Sequence, residues 1–239
     1  MLTGAPDDTL VIAHRGDWAE VPENTLESFE RAVRVGADMI ELDVRRTADG
    51  RLIAYHDAEI DGVPVNRLRH DELRAKGGRL RPPLLEEVVR QLANRIALNL
   101  ELKERGCAAE AVALLRRHGV ERCLLTSFLA DVVRESRACA PEFQTGLIVS
   151  RASTRAAISR TRRLGADCLV LELELADDAA LAAVAAQEIP CLVWTVNEAA
   201  TIDRCLRDPA VVGVVTDRPG LALHRRACLS GRSVPAAPS

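Results

Sequence analysis

A small set of charged and titratable side chains lies near the ends of short apolar runs in this 239-residue sequence. They are His14, Arg15, Glu41, Asp43, His56, Glu101 and Lys103. Carboxylates gathered away from water need a compensating cation, and a hard divalent metal such as Mg²⁺ or Ca²⁺ is the simplest one. Imidazoles beside such a cluster suit general acid and base chemistry near neutral pH. The residue types therefore indicate metal-assisted proton-transfer chemistry.

The spacing of the carboxylates places them on common strand faces. Residues two apart on a strand point to the same side, so Glu41 and Asp43 share a face, and Glu101 shares one with Lys103. The aliphatic residues between them fit the opposite, helix-facing side. Since the sequence has no Cys or His pair at transition-metal spacing, zinc is disfavoured. One divalent cation bound by all three carboxylates is the favoured interpretation.

The alternative for these carboxylates is a set of ion pairs with neighbouring basic residues, namely Arg15, Arg45 and Lys103. Arg15 has two open roles, which are bidentate contact with a phosphate and a salt bridge to Glu41. Lys103 has three, because it could contact phosphate, orient Glu101 or form a Schiff base. The neighbouring carboxylates disfavour the Schiff base, whose chemistry does not need them.

Two of the five histidines are candidates for proton transfer. His14 follows the first apolar run, and His56 follows the short strand that starts at Leu52 and would carry it back over the other groups. His70, His118 and His224 lie in helical or loop contexts and are interpreted as structural. We therefore expect His14 and His56 to be the general acid and the general base.

Apolar runs alternate with helical patterns along the whole chain. Strands are predicted at Leu10–Ala13, Met39–Val44, Ile96–Leu102, Arg122–Ser127, Thr145–Val149, Cys168–Leu173, Cys191–Val196 and Val211–Thr216. Helices are predicted at Asn24–Val35, Leu84–Ala93, Ala108–His118, Ala130–Ala140, Thr154–Leu164, Asp178–Gln187, Glu198–Leu206 and Pro219–Arg225. This alternation predicts an α/β fold, a closed (β/α)8 barrel whose functional side chains gather at the C-terminal strand ends. A doubly wound open sheet is the structural alternative.

The barrel pattern accounts for one domain over residues 1–228, with an insertion at about 57–83 after the second strand and a disordered tail over 229–239. The formal net charge of −3 argues against nucleic acid as a partner. We expect no transmembrane segment, because no apolar run reaches about 18 residues, and no secretory signal at the N-terminus. Seven scattered cysteines without a C-x-x-C pair indicate a reduced, cytoplasmic protein. Whether the chain forms a homo-oligomer is left open.

Several of these residues belong to longer motifs that follow one another along the chain. The motifs are HRGDWAEVPENT at 14–25, GADMIELDVRRTADGRLIAYHD at 36–57, LNLELK at 98–103, LTSF at 125–128, VWTVN at 193–197 and VTDRPG at 215–220. Together they resemble the motifs of the glycerophosphodiester phosphodiesterases, in the same order and over nearly the whole chain. The resemblance implies a TIM barrel of the phospholipase C-like phosphodiesterase type.

The resemblance also implies roles for the residues singled out above. It makes Glu41, Asp43 and Glu101 the ligands of one divalent cation, Mg²⁺ or Ca²⁺, and His14 and His56 the acid–base pair. Which histidine is the acid, and whether water or the glycerol 2-hydroxyl attacks, stay open.

Four further expectations follow from the same resemblance. Arg15 and Lys103 contact the phosphate, and Trp194 forms an apolar wall near the substrate. Asn24 caps a helix and orients the loop after His14. The insertion at 57–83 is shorter than in many members, which leaves the head-group specificity open.

The expected activity is metal-dependent hydrolysis of a small-molecule glycerophosphodiester to sn-glycerol 3-phosphate and an alcohol, in lipid and glycerol metabolism. A lysophospholipase D that acts on single-chain lipids by the same chemistry is the nearest alternative. A Schiff-base aldolase and a phosphate-ester binding protein without turnover are the alternatives from other classes.

Overall fold

The computed structural model of the protein describes residues 9–76 and 82–231, and within these ranges eight parallel strands close into a barrel. The strands in chain order are β1 (Leu10–His14), β2 (Met39–Arg46), β3 (Leu52–Ala54), β4 (Glu59–Ile60), β5 (Val63–Pro64), β6 (Ala97–Leu102), β7 (Cys123–Ser127), β8 (Gln144–Val149), β9 (Cys168–Glu172), β10 (Cys191–Trp194) and β11 (Val211–Thr216). The barrel consists of β1, β2 and β6–β11, and β1 pairs in parallel with both β2 and β11. The predicted (β/α)8 barrel is confirmed, and the open-sheet alternative is wrong.

Helices connect the barrel strands on the outside. They are α1 (Leu26–Val35), α2 (His70–Lys76), α3 (Leu85–Leu92), α4 (Ala108–Arg117), α5 (Ala130–Cys139), α6 (Thr154–Leu164), α7 (Asp178–Ala185), α8 (Ala199–Arg207) and α9 (Pro219–Leu229). Every predicted helix is present, although α9 runs to Leu229 instead of Arg225. Beyond residue 231, the predicted disordered tail lies outside the described residues. Of the helices in the described ranges, none has the length and apolar run needed to cross a bilayer.

Aliphatic side chains fill both faces of the barrel wall. Ile40, Leu42 and Val44 of β2 pack in one buried cluster with Leu85 and Val88 of α3, which confirms the helix-facing side expected for β2. The alternate residues point inward, where apolar side chains of several strands form a second layer around the barrel axis. The barrel is therefore a packed core.

The insertion after β2 forms a small unit with its own apolar cluster. β3 runs antiparallel to β2, with Val44 opposite Ala54, so the short strand expected before His56 is confirmed and forms a hairpin with β2. The described part of the insertion then contains the β4–β5 hairpin, a 3₁₀ turn and α2. Ile60, Val65 and Leu73 pack there against Ile53 of β3. This packing holds the chain that leaves β3 close to the barrel mouth.

The first residue of α1 is capped by Thr25 and not by Asn24. The Thr25 side chain accepts a hydrogen bond from the Ser28 backbone N–H at 3.1 Å, and the Ser28 hydroxyl accepts one from the Thr25 backbone N–H at 3.1 Å. This reciprocal pair is a capping box. The cap predicted for Asn24 is wrong because the Asn24 side chain bonds a barrel residue instead.

The turn between β1 and α1 depends on Gly16. Its φ is +91°, and an added Cβ would lie 2.7 Å from the backbone carbon of Ser28. We expect Gly16→Ala to lower the free energy of unfolding by about 3 kcal/mol, because strain and a backbone clash add together. Gly36→Ala is the matched control, since φ there is +84° with no atom within 4 Å of the added Cβ. Urea unfolding of both variants measures the difference, and equal losses would contradict a clash at Gly16.

Candidate active site

Strand register brings the three predicted carboxylates together at the C-terminal end of the barrel. Glu41 of β2 lies opposite His14 of β1, and Asp43 lies opposite Glu101 of β6. One oxygen of each carboxylate lies within 4.8 Å of the others. The residues are only 5%, 1% and 8% exposed, in the order Glu41, Asp43, Glu101. The expected convergence of acidic groups from separate strands is present.

Burial and mutual repulsion perturb these carboxyl groups. Burial raises the pKa of Glu41 well above its ordinary value, and the charges of Asp43 and Glu101 raise it further. The pKa of Glu101 is also raised, mainly by burial. Burial acts in the same direction on Asp43, but Lys103 and Arg15 outweigh it, so the pKa of Asp43 lies below its ordinary value. If all three carboxylates were ionised, the cluster would therefore carry more negative charge than its surroundings stabilise.

Lys103 balances part of this charge. Its Nζ lies 2.8 Å from Asp43 Oδ1 and 2.5 Å from Glu101 Oε1. These two oxygens are fully buried, yet neither accepts a hydrogen bond of good geometry from the described residues. Oxygen ligands that are buried, anionic and incompletely satisfied fit a hard divalent cation such as Mg²⁺ or Ca²⁺. The ion pairs and a cation site are therefore compatible.

Arg15 is held beside the cluster by two acidic partners. Its Nη1 donates to the Glu23 carboxylate at 2.8 and 3.0 Å, and its Nε lies 3.2 Å from Asp43 Oδ2. The Arg15 side chain therefore pairs with Glu23 and Asp43, and not with Glu41 as the alternative interpretation supposed. Glu41 contacts Arg15 through the backbone instead, since the Arg15 N–H donates to Glu41 Oε2 at 3.1 Å. Arg45 pairs with Glu104 instead of the carboxylate cluster.

His14 is oriented by a carboxylate from the far end of the chain. Its Nδ1 lies 2.6 Å from Asp217 Oδ1, and its Nε2 lies 4.0 Å from Glu41 Oε2. Because an ionised carboxylate can only accept, this contact assigns a proton to Nδ1. Burial would raise the pKa of Asp217, but the hydrogen bonds from His14 and Asn197 together with nearby positive charge outweigh it, so the pKa lies below its ordinary value. Asp217 also accepts a hydrogen bond from Asn197 Nδ2 at 2.6 Å.

His56 has the same kind of partner at a more exposed position. Its Nδ1 lies 2.8 Å from Asp57 Oδ1, and about a third of its side chain is exposed. The Arg45 Nε donates to the His56 backbone carbonyl at 2.9 Å, which fixes the chain after β3. Both candidate imidazoles therefore turn Nδ1 toward an aspartate.

These groups line one side of an open cavity of about 480 Å³ at the barrel mouth. The predicted residues on its lining are His14, Arg15, Glu41, His56, Glu101, Lys103 and Trp194. Asp43 is not part of the lining. The apolar side consists of Phe128, Ile148, Val170, Trp194 and Val215. Trp194 meets Phe128 edge to face, with ring centroids 5.6 Å apart.

A comparison with protein families matches residues 14–221 to the one described as "Glycerophosphoryl diester phosphodiesterase family". The chain belongs to this family. A glycerophosphodiester phosphodiesterase of Caldanaerobacter subterraneus subsp. tengcongensis is 32% identical over 161 residues, which are 59% of this chain and 66% of that protein. The family resemblance inferred from the motifs is therefore confirmed, and the chain is placed among the phosphoric diester hydrolases.

Solved structures of similar proteins share the fold. A glycerophosphodiester phosphodiesterase from Parabacteroides distasonis has 25% identity and a TM-score of 0.82, over 95% of this chain and 100% of that one. A phosphodiesterase from Oleispira antarctica, in complex with the product sn-glycerol-3-phosphate, has 24% identity and a TM-score of 0.81, over 91% and 96% of the two chains.

Sequence reasoning missed several residues of this phosphodiesterase site. Asp217, Asn197 and Phe128 lie in motifs that were recognised, but no role was assigned to them. Glu23, the partner of Arg15, lies in the first motif. The motifs therefore contained all four positions. They gave no indication of which side chains would pair with each other.

Asn24 is hydrogen-bonded to the carboxylate cluster through Asp43. Its Nδ2 donates to Asp43 Oδ2 at 2.8 Å, and its Oδ1 accepts from the Asp43 backbone N–H at 3.3 Å. Its own backbone N–H donates to the Arg15 carbonyl at 3.0 Å. The predicted contribution of Asn24 to the loop after His14 thus exists, but it acts through Asp43 and Arg15 and not through a helix cap.

We expect Asn24→Ala to destabilise the protein more than Asn94→Ala does. Both asparagines have positive φ, 54° and 60°, so the backbone strain is matched. Only Asn24 is buried, and losing its bonds to Asp43 costs about 1–3 kcal/mol in addition. Urea unfolding measures the two free energies, and equal values would show that the Asn24 side chain does not stabilise Asp43.

Proposed function

We propose that this chain hydrolyses glycerophosphodiesters to sn-glycerol 3-phosphate and an alcohol, with one divalent cation held by Glu41, Asp43 and Glu101. The observation that carries the proposal is the set of three buried carboxylate oxygens within 4.8 Å of one another beside His14. Family membership supplies the reaction class. The complex of the Oleispira relative with sn-glycerol-3-phosphate supports the same product here.

Arg15 and Lys103 would bind the non-bridging phosphate oxygens. Both line the cavity, and each is anchored by carboxylates that keep its charge beside the cluster. A bound divalent cation would add Lewis-acid stabilisation of the developing negative charge. Since Lys103 is held as an ammonium between Asp43 and Glu101, the neutral amine needed for a Schiff base is not available. The aldolase alternative therefore lacks support.

Each histidine would transfer a proton to or from the reactants through its Nε2 atom. In each ring the aspartate at Nδ1 keeps the proton there and leaves Nε2 for the substrate side. One ring, neutral with a free Nε2, removes the proton of the attacking hydroxyl, from water or from the glycerol 2-hydroxyl. The other enters the step as an imidazolium, protonated on both nitrogens, and gives its Nε2 proton to the leaving alcohol. The aspartates stabilise the imidazolium that forms in the course of the reaction.

We also propose a cytoplasmic location and a role in the turnover of glycerol-based lipids. All seven cysteines are free, and five of them are buried, which is typical of a reducing compartment. The lipid role rests on the proposed substrate.

Chelation tests the cation. Turnover of glycerophosphocholine should fall at least about 100-fold in excess EDTA and return with Mg²⁺ or Ca²⁺. Glu101→Gln should show the same loss at ordinary metal concentration, whereas the exposed control Glu121→Gln should not. Full activity in chelator would contradict the proposal, and faster turnover of a lysophospholipid than of glycerophosphocholine would favour the lysophospholipase D alternative.

Asp217→Asn tests the orientation of His14. The amide can donate to Nδ1 and so favours the tautomer with the proton on Nε2, and kcat should fall about 100-fold or more with little change in KM. Asp178→Asn, at a side chain 92% exposed, is the control and should leave kcat unchanged. Steady-state kinetics measures both, and an unchanged kcat in Asp217→Asn would remove Asp217 from the mechanism.

A further inference from the structure

A carboxylate that the proposed mechanism does not use follows Val170 on β9, just outside the lining of the cavity. Glu172 is the last residue of β9, and its register partner is Trp194 on β10. Val170 lies two residues earlier on β9 and lines the cavity. Since side chains two apart on a strand share a face, Glu172 lies on the cavity side, nearer the mouth than Val170.

Glu172 has no counter-charge within the described part of the chain. It is half-buried, and no ion pair or side-chain hydrogen bond involves it there. Arg151, in the loop after β8, is exposed and forms no ion pair with it. A partly desolvated carboxylate without a partner is unfavourable. A cation brought by the ligand would satisfy it.

The neighbours of Glu172 determine which kind of cation fits. Trp194 offers an indole ring, the strongest of the aromatic partners for a cation. Phe128 is already approached by Lys103, whose Nζ lies 5.9 Å from the ring centroid. Val170 adds an aliphatic surface on the same strand. A carboxylate, an indole ring and aliphatic groups together suit a methylated ammonium, whose charge and methyl groups are both accommodated.

We propose that Glu172 and Trp194 form a subsite for a quaternary ammonium head group, so that choline-type glycerophosphodiesters are preferred over uncharged ones. The side of the cavity proposed to bind phosphate, with Arg15 and Lys103, directly follows β1 and β6, and this subsite lies at the ends of β9 and β10. The inference rests on the proposed function, because it assigns the leaving alcohol of that reaction.

The test compares two esters that differ only in charge. One is glycerophosphocholine, and the other is its 3,3-dimethylbutanol analogue, in which carbon replaces the charged nitrogen. We expect kcat/KM of the wild-type protein to favour the choline ester about tenfold or more. Glu172→Gln should bring this ratio to within a few-fold of one, mainly through KM for the choline ester. Glu174→Gln, at an exposed position two residues further, should keep the wild-type ratio.

A wild-type ratio near one, or a ratio that survives Glu172→Gln, would overturn the head-group inference alone. No hydrolysis of either ester with Mg²⁺ or Ca²⁺ would overturn the proposed function as well. If Glu172→Gln does not fold, inhibition of the wild-type enzyme decides. Stronger inhibition by choline than by 3,3-dimethylbutanol supports the subsite, and equal inhibition contradicts it.

Discussion

Mutual repulsion among three buried carboxylates is the constraint on which the rest of this barrel mouth depends. Glu41, Asp43 and Glu101 have almost no access to water, so their charge must be balanced by neighbouring groups or by a cation. Lys103 and Arg15 balance part of it, and both are thereby held at the edge of the cavity. The same constraint supports the proposed cation site, and it holds two positive groups where the phosphate of the proposed substrate would bind.

Three side chains of the candidate site are each held in place by one neighbouring side chain. Asp217 holds His14, and Glu23 holds Arg15, while Asn24 holds Asp43. The holding residues come from the loops that follow strands and not from the strands themselves. This division lets the rigid barrel set the distances between carboxylates, while the loops set the orientation of His14 and Arg15.

The cavity is divided between the two halves of the barrel. Its ionic side comes from β1, β2 and β6, and its apolar side from β7 to β11. A phosphodiester has one charged centre between two organic groups, so it matches a cavity with one ionic and one apolar side. Glu172, at the end of β9 just beyond this apolar side, is the exception to the division, and the proposed head-group subsite depends on it.

Local patterns in the sequence were sufficient for the eight barrel strands, the helices between them and the shared face of Glu41 and Asp43, because period-two and helical periodicities are properties of neighbouring residues. Helix α2 was not predicted, since it lies in an insertion rich in glycine and proline. The cap assigned to Asn24 was wrong because a long-range bond to Asp43 competed with the local one. Only the tertiary structure decided the partner of His14, since Asp217 is 203 residues away and reaches it through the pairing of β1 with β11 that closes the barrel.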